Sequence, residues 1–220
     1  MSTPLVIAID GPSGSGKSSV ARGVARSLGL DYLDTGSMYR AMTWFVLSQG
    51  ADVKDAQTVA ELAPEAHLNP STNPELHDIQ VGETDVTDII RGELITSLVS
   101  QVAANPEVRA LLVTLQQQIA AEAKSGIVVE GRDIGTVVLP DAHLKLYITA
   151  DPSVRASRRA AQSEDDVATT QESLLARDHA DSTRQASPLE LAQDAILLDT
   201  TQMNLPEVIE HVLALVAERS

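Results

Sequence analysis

Gly11-Pro12-Ser13-Gly14-Ser15-Gly16-Lys17-Ser18 fits the pattern G-x-x-x-x-G-K-[ST] in full, and Ser19 follows it. Glycines let a backbone curl until several N–H groups converge on one anion. In such a loop Lys17 reaches the β- and γ-phosphates of a nucleoside triphosphate, and the Ser18 hydroxyl ligates Mg2+. A Gly/Ser-rich loop can match by chance, so the flanks decide. Leu5 to Ile9 is an unbroken apolar run, as expected of a strand covered on both faces. Val20, Val24 and Leu28 form a helical stripe that Gly29 closes. The positive end of that helix points at the same spot as the loop. The stretch is therefore expected to cradle a triphosphate.

A polyanionic ligand sets a problem, because the 220-residue chain carries a formal charge of −15. That balance argues against non-specific binding to nucleic acid or an anionic membrane. Positive charge must be concentrated locally. Of the 16 basic residues, 12 are Arg and 4 are Lys, and Arg is the residue for bidentate phosphate clamping. Arg155, Arg158 and Arg159 share one helix face by their i, i+3, i+4 spacing. Arg177, Asp181 and Arg184 share another at i, i+4, i+7. A salt-bridged surface helix is the usual meaning of such spacing, but in so acidic a chain a phosphate-facing lid is the stronger reading. Arg40 lies near the positive end of its helix, an awkward place for a cation without an anion nearby. A solvated side chain is the other reading there, and Arg109 is likewise open to a surface i,i+4 pairing.

The elements that must position these groups follow from apolar patterning. Strands are expected at 30–34, 127–130, 144–149 and 195–199 besides the first. Helices are expected from Thr35 to Ser48, over 52–66 from Asp52, from Asp88 to Ala104, from Pro106 to about Ala123, and over 205–217. Residues 163–166 interrupt the Arg-rich section, and 76–86 suggest one or two short antiparallel strands around Gly82. Strands separated by helices imply a five-stranded parallel sheet flanked by helices, an α/β fold with right-handed crossovers. Ligands bind such sheets at the carboxyl ends of the strands. Asp10, Asp34, Glu130 and Asp199 are placed along that edge, although Asp10 can instead satisfy backbone groups. There is no cysteine, so no disulfide or thiolate metal site, which suits a reducing cytosol. No signal peptide or membrane span is evident, the five histidines show no metal-ligand spacing, and aromatics are too sparse for a base-stacking platform.

The P-loop, Asp34-Thr-Gly-Ser-Met-Tyr-Arg40, Ser100-Gln-Val-Ala-Ala and Glu130-Gly-Arg-Asp-Ile-Gly-Thr136 stand in one order along nearly the whole chain. In these segments and the Arg177 to Arg184 helix the chain resembles the bacterial cytidylate kinases. The resemblance implies ATP-dependent phosphorylation of CMP and dCMP, with Mg2+, in a monomeric cytoplasmic enzyme. It implies a core at 1–63, 93–150 and 187–220, a nucleotide-binding insertion at 64–92 and a lid at 151–186. It places Thr35, Tyr39, Arg40 and Arg132 near the acceptor ribose and phosphate, and Ser100, Arg109 and Asp133 at the cytosine edge. Arg177 and Asp181 fall near the sugar, Arg184 near the phosphate, and Arg155, Arg158 and Arg159 near the ATP phosphates. Lys17, Arg132, Arg155, Arg159 and Arg184 then carry the transfer, while Gly11 to Ser19 and Arg158 hold ATP. The stretch between Arg159 and Arg177 is shorter than in the enterobacterial form, and Thr35 stands where some relatives have Ser. Another small-substrate P-loop kinase, for a different nucleotide or for shikimate, is the nearest rival. A GTPase-like switch would want N-K-x-D, which is absent.

Overall fold

The computed structural model describes residues 4–163 and 166–219. In chain order it runs β1 (Leu5–Asp10), α1 (Lys17–Leu28), β2 (Asp31–Asp34), α2 (Thr35–Ser48), α3 (Ala56–Leu62), β3 (Leu68–Pro70), β4 (Ile79–Val81) and β5 (Thr84–Asp85). It continues α4 (Glu93–Ala103), α5 (Pro106–Glu122), β6 (Gly126–Gly131), β7 (Leu144–Thr149), α6 (Pro152–Ser163), α7 (Val167–Thr183), β8 (Ile196–Asp199) and α8 (Leu205–Ala217). Glu164 and Asp165, within the expected interruption of the Arg-rich section, lie outside the described residues.

β2, β6, β1, β7 and β8 form one parallel sheet in that order. The strands alternate between two apolar layers. Ile7, Ile9, Val128, Leu146 and Ile148 face α1 and α8, whereas Ala8, Leu33, Ile127 and Val129 face α2, α4 and α5. Such two-sided burial is why the strands read as unbroken apolar runs. No helix among the described residues is long and apolar enough to cross a membrane.

β1 lies at the centre, so the loop after it opens in the middle of the sheet's carboxyl edge. Asp34 and Glu130 are register neighbours there, and Asp10 faces Gly131. Asp10 accepts from the N–H groups of Ile134 and Gly135, both at 2.8 Å, so its role is to fix the turn after β6. Burial pushes its carboxyl up to about 6 against those two bonds. Asp199 lies on the same edge, at the end of the outermost strand β8, but its carboxylate accepts from Thr201 and does not line the cavity.

Three other boundaries differ. Asp52 accepts from Lys54 N–H in a turn, and the helix begins beyond it, capped by Asp55, whose side chain accepts from Thr58 N–H. Gly92 in extended conformation (φ −61°, ψ 155°) cuts the expected 88–104 helix into a 3-10 turn at Ile89–Arg91 and α4. β3 pairs with β4, so the small sheet has three strands, with Pro70 at the end of an edge strand where a missing N–H is harmless. Ile79 and Val81 bury this sheet against α2.

Gly11 shows why the loop can leave β1 so sharply. A Cβ there would lie 2.0 Å from the backbone oxygen of Ile148 on β7. A main-chain oxygen inside a sheet cannot swing aside. Gly11→Ala is expected to destabilise the protein by about 2–3 kcal/mol in denaturant unfolding; an unchanged midpoint contradicts this packing.

Candidate active site

One cavity of about 980 Å3 lies over the carboxyl edge of the sheet. Its floor is the loop from Ser13 to Ser19, and α2, α4, α5, the turn after β6, α6 and α7 supply its walls.

At the floor, Lys17 faces Glu130 and Asp34. Burial lowers the Lys17 ammonium to about 8, helped by the charge of Arg132 and opposed by Glu130 and Asp34. Burial, then the Asp34 charge, raise Glu130, which accepts from Ser18 and, at 2.7 Å, from Tyr32 Oη. Burial also works against a charged Asp34, but Arg40 and the Ser37 N–H outweigh it and hold that carboxyl low. Arg40 thus has its anion: it donates to Asp34 Oδ2 at 3.0 Å, while Asp34 Oδ1 caps α2 through Ser37 N–H. No three His, Cys, Asp or Glu residues among the described ones cluster as a metal cage. One hydroxyl and one or two carboxylates beside a phosphate loop are nevertheless a fitting donor set for Mg2+, which keeps waters and takes its other ligands from substrate phosphates.

The ammonium is the form that neutralises phosphate. We therefore expect kcat/KM for ATP to fall as pH rises through about 8, while kcat holds to higher pH because bound phosphates favour the charged lysine. A kcat/KM that is flat from about pH 7 to 10 contradicts this role.

At the other end, Asp133 is buried between two arginines. Arg109 pairs with its Oδ2, and Arg184 NH2 lies 3.4 Å from Oδ1. Arg109 also donates to Ala103 O at 3.2 Å and lies 5.4 Å over the Tyr39 ring. Burial pushes the Tyr39 phenol up to about 12. Arg109 is therefore no surface partner but 3% exposed, a buried cation that needs Asp133. Ser100 lines the same end.

Between the ends stands Arg177. Its Nε is buried without a hydrogen-bond partner, and burial, then the nearby Arg132, lower its guanidinium to about 10. A cation kept so poorly compensated suits an anion placed beside it. Arg132 itself is held, donating to Asp181 Oδ2 at 2.8 Å, Gly11 O at 2.8 Å and Ser13 Oγ at 2.7 Å. Thr35 Oγ1 donates to Glu130 O at 2.7 Å.

Of the residues singled out from sequence, Gly11, Pro12 and Arg155 do not line the cavity. Gly11 and Pro12 form the bend leading into the loop. Arg155 differs from the expectation of a cavity-facing arginine: its guanidinium turns behind the loop, to Ser13 O, Ala150 O and Asp178. Arg158, Arg159, Asp181 and Arg184 do line it. Arg158 is anchored on Thr200 O and Met203 O at 2.8 and 3.2 Å, so it shapes the wall beside Asn204. The sequence reading misses Asp178, Arg22, His77 and Arg91. Arg22 is in contact with His77 and lies 5.3 Å over the Tyr32 ring. No local pattern marks them, because their partners are distant in sequence.

A glycine-rich floor carrying Lys17, with walls that bring Arg40, Arg132, Arg158, Arg159, Arg177 and Arg184 to one cavity, suits transfer of a group that is already anionic. The class is that of the P-loop kinases. Solved structures share the fold: a gluconokinase from Sinorhizobium meliloti 1021 at TM-score 0.53 and 15% identity, covering 98% of this chain and 93% of that one, and TT1252 from Thermus thermophilus at 0.51 and 22%, covering both chains whole. A family model described as cytidylate kinase matches residues 7–218. A cytidylate kinase from Streptomyces avermitilis is 50% identical over 216 residues, 98% of this chain and 94% of that one. One from Mycobacterium leprae is 50% identical over 224 residues, 99% and 98% of the two chains. The chain belongs to the cytidylate kinase family.

Proposed function

We propose that the protein transfers the γ-phosphoryl group of ATP in line to a phosphate oxygen of CMP or dCMP, giving ADP and the cytidine diphosphate. The observation that carries this is the fixed Asp133 carboxylate in the same cavity as the phosphate loop. An acceptor monophosphate is ionised at neutral pH, so no general base is required. The loop from Ser13 to Ser19 holds the donor, with Lys17 on its outer phosphates and Arg158 and Arg159 along its wall. Arg40, Arg132, Arg177 and Arg184 receive the acceptor phosphate and share the charge that builds up on the moving group. Thr35, Tyr39 and Asp181 bound the sugar. Ser18, with Glu130 and Asp34 nearby, would hold a Mg2+ ion, which would supply further neutralisation of phosphate charge.

Ser100, Arg109 and Asp133 read the base. Cytosine offers an amine where uracil has a carbonyl, and an ionised Asp133 only accepts. Residues 64–92 and 151–186 then act as the acceptor-binding insertion and the lid that excludes water from the transfer. A cysteine-free chain is compatible with a reducing cytosol. The test uses γ-32P-ATP with CMP. Label is expected in CDP as the β-phosphate; label released only as inorganic phosphate overturns the proposal.

A further inference from the structure

Ser13 is the tip of the phosphate loop, and all three of its polar groups are engaged. Its N–H donates to Asp178 Oδ1 at 2.8 Å, its carbonyl accepts from Arg155 NH1 at 2.8 Å, and its hydroxyl accepts from Arg132 NH2 at 2.7 Å. Asp178 Oδ2 and Arg155 NH1 close the ring at 2.5 Å. These two side chains are 16% and 6% exposed, so the pair is largely out of water. Gly14 rests directly on this support: a Cβ there would meet Arg155 O at 3.0 Å and Leu174 Cδ1 at 3.1 Å. Leu174 lies one turn before Asp178 on α7. The loop tip is thus seated on the α6–α7 hairpin with no space between them.

We propose that Asp178 is a positioning residue for the phosphate donor. It touches no cavity surface, so it acts through Ser13 and Arg155 rather than on the nucleotide. The physical need is clear. A loop with glycines at 11, 14 and 16 has many backbone states, whereas donor N–H groups aid transfer only when they are already aimed. Asp178 removes that freedom by holding the Ser13 amide on one side and orienting Arg155 onto the Ser13 carbonyl on the other. Of the charged residues on α7, Arg177 and Asp181 line the cavity, as does Arg184 just past its end, and Asp178 backs the loop.

This inference rests on the phosphotransfer reading above, and the test separates the two. Asp178→Asn keeps an oxygen for the Ser13 N–H but loses the charge that holds Arg155. Asp178→Ala loses both. KM for ATP is expected to rise roughly threefold in the Asn variant and roughly tenfold in the Ala variant, with KM for CMP within about twofold of wild type. Titration of each variant with ATP alone should show the same weakening. If the Ala variant does not fold, the Asn variant decides. KM values for ATP and CMP that rise together, or an ATP affinity unchanged in a folded variant, overturn the assignment. A wild-type protein that binds ATP but does not phosphorylate CMP overturns the function, while the ATP titrations still judge Asp178.

Discussion

Lys17→Ala is expected to lower kcat for CMP phosphorylation by about a thousandfold, the scale for removing one group aimed at developing charge. The two arginines nearest Asp34 and the loop bend are already committed. Arg132 is fixed to Gly11, Ser13 and Asp181, and Arg40 to Asp34. Removing the ammonium also takes from Glu130 the cation that opposes its charge, so repulsion of the donor phosphates is added to lost attraction. Relief of a desolvated cation should leave the fold intact or firmer, so melting temperature and turnover are measured together. Near-normal kcat in a folded Lys17→Ala protein rules out the lysine's part in the transfer.

The second large effect concerns the base. Alanine at position 133 would leave Arg109 and Arg184 buried with their shared partner gone, which costs about 3–5 kcal/mol in comparable sites. Asp133→Asn is therefore the cleaner variant, since it keeps the shape and one acceptor. Its amide can also donate, so a uracil carbonyl is no longer met by an acceptor. The ratio of kcat/KM for CMP over UMP is expected to drop by about a hundredfold, with KM for ATP within about threefold of wild type. Unchanged selectivity removes Asp133 from base reading, and a large rise in KM for ATP would assign it to the donor side.

The parallel sheet is legible in the sequence because its inner strands β1, β6 and β7 are buried on both faces, whereas the edge strand β8 leaves Leu197 exposed. Leu144–Thr149 appears with its observed bounds, as an apolar run between polar flanks. Helix starts are less legible where two capping residues compete: Asp52 and Asp55 are the same residue type, and only the turn that Asp52 makes with Lys54 decides between them. The site shows the same division. The phosphate loop is one contiguous stretch, so its residues are readable together. Arg155 shares a helical face with Arg158 and Arg159, but periodicity does not say which part of that face meets the loop. That is settled by Asp178, a partner 23 positions away. Asp178 in turn sits beside Arg177 in the sequence and points elsewhere in space, since adjacent helical residues do not share a face.

The most direct test of the account is the initial rate of ADP formation from Mg-ATP with CMP, dCMP, UMP, AMP, GMP and shikimate as acceptors. Fast turnover with CMP and dCMP, and little with the others, is the predicted result. Faster turnover with any other acceptor contradicts the base-reading assignment of Ser100, Arg109 and Asp133. Acceptor-independent ADP formation contradicts phosphoryl transfer itself.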